Sequence, residues 1–119
     1  MADKYLVNSQ FGNDDVEKAT VPLIVASAAS AMDGETAVFL TCDAVRLATK
    51  GGAGGLQAEG YPAVADLIDA LRENGGRLWV CPVCAAVRDI TADDLIDIAE
   101  IAGAARTIGF VNDGAKLLM

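Results

Sequence analysis

Arg77-Leu78-Trp79-Val80-Cys81-Pro82-Val83-Cys84 is the stretch whose reading decides the fold. Arg77-Leu78-Trp79-Val80 reads as a short strand, with Trp79 a core residue. Pro82 then stops any further ladder pairing and suits the first position of a helix, where its missing N–H would have been an orphan in any case. That places Cys81 at the N-cap and Cys84 at the third helical position of a strand-to-helix turn.

The same alternation extends both ways along the chain. Upstream, Gly75-Gly76 stops a helix expected from about Tyr61-Pro62 to Asn74. Before it lie the glycine-rich loop Lys50–Gly55 and a short helix from Asp43 to Thr49. Thr36–Leu40 is a continuous apolar run, as expected for a strand covered on both faces of a parallel sheet. Asp33-Gly34 ends a long apolar helix from Val16 to Met32, opened by Asn13-Asp14-Asp15. Pro22 inside that helix must open it or kink it. An all-round apolar helix is expected to face the sheet on one side and a second subunit on the other. Tyr5–Val7 is the first strand. Downstream, Thr91-Ala92-Asp93-Asp94 carries a capping signature. A strand near Glu100–Ala102, a helix from Ala104 to Val111 and a strand from Ala115 to Leu118 complete the chain.

Strands separated by long crossovers predict one α/β domain over residues 1–119: an open, mostly parallel sheet of about five strands with helices on both faces. Ligand chemistry on such sheets gathers at the carboxyl ends of the strands. All three cysteines, Cys42, Cys81 and Cys84, fall on that edge.

The composition narrows the function. A net charge of -8, with nine scattered basic residues, argues against nucleic-acid and anionic-membrane partners. No apolar run is long enough for a bilayer span or a signal segment, so a cytoplasmic protein is expected. There, cysteines are more often reactive, metal-bound or inert than paired structurally. Mean hydropathy is +0.36 in a chain of 12.2 kDa, more apolar surface than one small core hides, which predicts association with further copies.

The N-terminal end of a helix favours thiolate at both Cys81 and Cys84, and thiolate is the nucleophilic form. The chain has no His to act as a general base. The alternative is that the pair are small core residues. Arg88, one turn beyond Cys84, either adds a positive charge or pairs with Asp89 or Asp93. Cys42 either lies buried and inert or resolves a disulfide. Three cysteines without His make a poor zinc site, and no phosphate-loop order follows Lys50, so no metal and no cofactor is expected. Asp14-Asp15 and Asp93-Asp94 fit helix starts. A thioredoxin-like fold fits poorly, because the Cys-x-x-Cys comes late and no proline follows Pro82.

Taken together, Val38-Phe39-Leu40-Thr41, Asp43-Ala44-Val45, and Arg77–Cys81 followed by Ala85-Ala86-Val87-Arg88-Asp89-Ile90 resemble the DsrE/DsrF-like family, with YchN- and TusD-like members, over essentially the whole chain. Cys81, Arg88 and Ile90 match the family's Cys, Arg and apolar positions; Asp89 stands where Gly is usual, so that turn is expected to differ. The resemblance implies a three-layer, flavodoxin-like fold and ring-like trimers or hexamers. It also implies sulfur relay, with Cys81 carrying a persulfide, Cys84 able to release the sulfur by forming a Cys81–Cys84 disulfide, and a donor or acceptor protein as partner. A thiol–disulfide redox protein using Cys81 and Cys84, and a non-catalytic assembly module, are the competing readings.

Overall fold

The computed structural model describes residues 3–119, and the chain runs as alternating strands and helices. The strands are β1 (Lys4–Ser9), β2 (Glu35–Leu40), β3 (Arg77–Val80), β4 (Ala99–Ile101) and β5 (Lys116–Leu117). The α-helices are α1 (Val16–Ala31), α2 (Val64–Glu73), α3 (Pro82–Ala86) and α4 (Ala104–Asn112). The strands form one sheet in the order β4-β3-β2-β1-β5, with every pairing parallel.

This order explains the layers. Steps β1→β2→β3→β4 all move the same way across the sheet, so right-handed crossovers place α1, α2 and α3 on one face. The return from β4 to β5 crosses back over three strands and places α4 on the other. Alternation along each strand then sorts the side chains. Val7, Val38, Leu40, Leu78 and Val80 join Leu23 of α1 and Ile68 of α2 in the main core. Leu6, Ala37 and Trp79 face Phe110 of α4 in a smaller one. Trp79 is core as expected, packed edge-on against Phe110 with ring centroids 5.1 Å apart. Three layers around a parallel sheet result, and no helix among the described residues is long and apolar enough to cross a membrane.

Several local expectations change. Asp15 caps α1, its carboxylate accepting from the Lys18 N–H at 3.1 Å. Pro22 does not open this helix; it lies inside the first half, where its position has no N–H to give the carbonyl four residues back. Asp33, at φ 63, takes the left-handed position that closes α1, and the Gly34 N–H returns to the Ala29 carbonyl at 3.1 Å. α2 starts at Val64 rather than Tyr61-Pro62. It ends as expected: Gly75, at φ 79, lets the Gly76 N–H reach the Leu71 carbonyl at 2.8 Å. The short helix expected from Asp43 to Thr49 is a 3-10 helix over Cys42–Ala48. The Thr91 capping signature is present, with the Thr91 N–H donating to Asp94 Oδ2 at 2.8 Å, but it opens only a 3-10 turn over Ala92–Asp94.

Candidate thiol site

β2 and β3 lie side by side with Leu40 opposite Val80, so the residues that follow them start from one place on the sheet rim. The Cys81 N–H still donates to the Leu40 carbonyl at 3.0 Å, holding Cys81 at the last rung of the ladder. Pro82 then turns the chain into α3, and the Ala85 N–H closes the first helical bond onto the Cys81 carbonyl at 3.0 Å. On the neighbouring strand Cys42 opens its 3-10 helix in the left-handed region, at φ 51. A non-glycine residue held there is strained by its Cβ, and such strain persists where surrounding structure fixes it. All three cysteines are free; Cys42 is exposed, and Cys81 and Cys84 are half-buried.

The two thiols of the Cys-x-x-Cys are not equivalent. Partial burial raises the Cys81 pKa, but the Cys84 amide, the Cys84 thiol and the Val83 amide outweigh it, leaving Cys81 below the ordinary thiol value. A helix of five residues has little macrodipole to offer, so the effect is that of individual orphan N–H groups. Cys84 goes the other way, against the expectation that both thiols would be activated. Its burial against the main core raises it first; the Cys42 amide opposes this, and the Cys81 thiol, the Cys81 charge and the Cys42 charge raise it further. Cys84 therefore has both Cys81 and Cys42 as neighbours.

Arg88 takes a partner other than the two expected of it. Its Nε donates to Asp43 Oδ1 at 2.9 Å and its Nη1 to the Cys84 carbonyl at 3.2 Å, so it bridges α3 to the segment carrying Cys42 and pairs with neither Asp89 nor Asp93. Asp89 closes α3 without a glycine. At φ 56 it takes the left-handed conformation itself, and the Ile90 N–H returns to the Ala85 carbonyl at 2.9 Å, seating Ile90 in the core. On the outer side of α3, Val83 and Val87 are 71% and 72% exposed, an apolar margin beside the thiols. Among the described residues no cluster of three or more His, Cys, Asp or Glu is arranged to hold a metal ion.

A second feature was not legible in the sequence. A cleft of about 690 Å³ lies at the carboxyl end of β1 beside the chain end, lined by Asn8, Ser9, Phe11, Lys18, Tyr61 and Met119 among others. Tyr61 donates to Glu17 Oε2 at 2.8 Å across its wall, a bond that raises the Tyr61 pKa. The Ser9 hydroxyl, buried, has no partner among the described residues. The cleft lies where the chain order reverses between β1 and β5, which is where open α/β sheets tend to hold ligands. It contains none of the cysteines, so volume and thiol chemistry mark different places on one rim.

A model of the DsrE/DsrF-like family matches residues 3–119. An uncharacterized protein of Methanocaldococcus jannaschii, MJ0760, is 27% identical over 110 residues, covering 92% of this chain; the match spans 40% of that protein's length. Among solved structures, the ychN protein from E. coli superposes with a TM-score of 0.79 at 22% identity, covering 99% of this chain and 98% of that one. A protein of unknown function, MTH1491 from Methanobacterium thermoautotrophicum, superposes with a TM-score of 0.67 at 14% identity, covering 98% and 97%. Both structural likenesses concern the fold.

Proposed function

This chain belongs to the DsrE/DsrF-like family, and from that premise we propose that it is a sulfur-relay protein carrying sulfane sulfur as a persulfide on Cys81. The observation that carries the reading is the unequal pair: Cys81 is held below the ordinary thiol pKa by the Val83 and Cys84 amides despite partial burial, while Cys84 beside it is raised. In the step proposed, the Cys81 thiolate attacks the terminal sulfur of a donor persulfide. A Cys81–S–S bond forms, the donor's S–S bond breaks, and the donor leaves as a thiol. Cys84 thiolate can then attack the inner sulfur of that persulfide, forming a Cys81–Cys84 disulfide and expelling hydrosulfide. Thiol-to-persulfide transfer onto a partner protein is the competing exit.

Intact mass spectrometry after mixing the reduced protein with sodium tetrasulfide tests this. A gain of one sulfur, about 32 Da, on Cys84→Ser, where the persulfide cannot be released, that is absent from Cys81→Ser supports the relay. No sulfur adduct on Cys84→Ser, with a loss of two hydrogens in the wild-type protein that either substitution abolishes, would instead favour the runner-up, a thiol–disulfide redox protein, for which the proximity of the two thiols speaks. No change in either would leave an assembly module.

The reading includes a homo-oligomer. Ile108 on α4 and Leu117 on β5, each 60% exposed, give the second face of the sheet an apolar surface suited to another copy of the chain. Sedimentation equilibrium giving the monomer mass across a wide concentration range would remove that part.

A further inference from the structure

We propose that Cys42 is the resolving thiol of this site: it attacks the Cys84 sulfur of a Cys81–Cys84 disulfide, forms a Cys42–Cys84 disulfide and expels Cys81 as a thiolate. This deepens the persulfide reading and rests on it for the source of the Cys81–Cys84 disulfide. The exchange is balanced as it stands. One S–S bond breaks and one forms, the electron pair leaves on Cys81, and the site as a whole is neither oxidised nor reduced. A dithiol reductant from outside then returns Cys42 and Cys84 to thiols.

Three observations place the atoms. Thiol–disulfide exchange needs an attacking, a central and a leaving sulfur, with the central one reachable from both sides. Cys84 is that central residue: Cys81 lies one helical turn before it at the start of α3, and the segment that Cys42 opens packs against α3, its Asp43 bridged through Arg88 to the Cys84 carbonyl. Second, Cys42 is fixed there. β2 and β3 are paired up to Leu40 and Val80, the Cys81 N–H is bonded to the Leu40 carbonyl, and Arg88 ties Asp43, the residue after Cys42, to the Cys84 carbonyl. The left-handed backbone at Cys42 is held within this frame. Third, exposure is graded: Cys42 is exposed, whereas Cys81 and Cys84 are half-buried, so exchange moves the disulfide to where an external dithiol can attack it.

The leaving group fits as well. A thiol whose thiolate is already stabilised leaves faster, and the Val83 and Cys84 amides stabilise the Cys81 thiolate. The exchange returns Cys81 in the form that accepts the next sulfur.

Trypsin makes the test clean. Cys42 lies in the peptide Ala19–Arg46, and Cys81 and Cys84 lie together in Leu78–Arg88. A Cys81–Cys84 disulfide therefore stays within one peptide, and a Cys42–Cys84 disulfide joins two. The reduced full chain is treated separately with sodium tetrasulfide and with diamide, quenched in acid, alkylated with N-ethylmaleimide and digested. The expected main product in both arms is the joined pair with Cys81 alkylated, replaced in Cys42→Ser by the internal disulfide. An internal disulfide with Cys42 alkylated in the wild-type protein, in both arms, overturns the proposal. If tetrasulfide yields a Cys81 persulfide and only the internal disulfide, the relay stands and Cys42 is not its resolving thiol. If diamide yields the joined pair while tetrasulfide leaves no sulfur and no disulfide, Cys42 resolves a redox pair and the relay fails.

Discussion

The bridge from Arg88 to Asp43 lends itself to a quantitative test, because it separates a structural role for Arg88 from an electrostatic one. Arg88→Met keeps much of the side-chain stem and removes the guanidinium that donates to Asp43 Oδ1 at 2.9 Å and to the Cys84 carbonyl at 3.2 Å. An exposed ion pair is worth about 0.2–1 kcal/mol, and breaking a fully buried one costs about 3–5 kcal/mol. Here the two side chains are 21% and 24% exposed, which places the loss near that of a hydrogen bond to a charged group, about 1.5–3 kcal/mol. Arg46 Nε stands 3.6 Å from the same Asp43 oxygen, so Asp43 keeps a partner and the lower end, about 1.5–2 kcal/mol, is expected. Asp43→Asn should cost a similar amount, and the double variant should show a coupling of about 1 kcal/mol in urea unfolding at unchanged slope. Alkylation of Cys81 by iodoacetamide across pH provides the second readout. The midpoint should stay within about 0.3 units of wild type in Arg88→Met, since the local amides and the neighbouring thiol set it. A coupling below about 0.3 kcal/mol would refute the bridge. A midpoint raised by about one unit would show that Arg88 acts on the thiolate as a charge.

Other consequences are simpler to check. Asp89→Gly relieves a left-handed backbone at an exposed position and should stabilise by about 0.5 kcal/mol in the same unfolding assay, whereas Asp89→Val should cost about 1 kcal/mol or more. Leu78→Ala empties a fully buried position on β3 in the main core and should cost about 3–4 kcal/mol, with no change in slope. Competitive alkylation at neutral pH should label Cys81 ahead of Cys84, and Cys84→Ala should move the Cys81 midpoint upward by removing the thiol that donates to it; labelling of Cys84 first would contradict the assigned order. In stability the two thiols act with opposite sign. The lowered Cys81 contributes above the unfolded thiol pKa and loses that contribution as pH falls through its folded value. The raised Cys84 contributes below the unfolded thiol pKa and loses it as pH climbs through its own folded value. Cys81→Ser and Cys84→Ser should therefore tilt the pH–stability curve in opposite directions.

What was readable from the residues alone follows from the range of the physics involved. The apolar runs at Thr36–Leu40 and Leu78–Val80 announce buried strands because each residue's burial is encoded locally, and the carboxyl-edge rule then gathers the cysteines. Pro82 gives the helix start and the N-cap for the same reason. The partner of Arg88 lies 45 positions away, and no helical spacing points to it. The left-handed backbone at Cys42 carries no glycine to signal it, and at Asp89 the glycine that would have signalled it is absent. The rise at Cys84 depends first on how deeply it packs against the core, which composition does not convey. The cleft beside β1 draws on residues 8–11, 17, 18, 21, 22, 61 and 119, which only the folded chain brings together.

These nonlocal features make the site more than a Cys-x-x-Cys on a helix. A longer helix would have polarised both thiols through its dipole and left little to distinguish them. α3 has only five residues, so polarisation is confined to the one sulfur within reach of two free amides, Cys81. Its inner side packs Cys84 against the core, and burial there opposes ionisation. The short helix thus produces a low thiol and a high thiol one turn apart, the inequality on which the proposed relay rests. Its shortness also has a cost: α3 makes few bonds of its own, and its position depends on anchors at both ends. The Cys81 N–H on β2 supplies one, the Asp89 turn with Ile90 in the core the other, and the Arg88 bridge to Asp43 sets its distance from Cys42. Stability and thiol inequality should therefore respond separately to substitution: loosening the Arg88 anchor costs the fold while leaving the Cys81 amides in place, and exchanging a cysteine changes the chemistry while leaving the anchors intact.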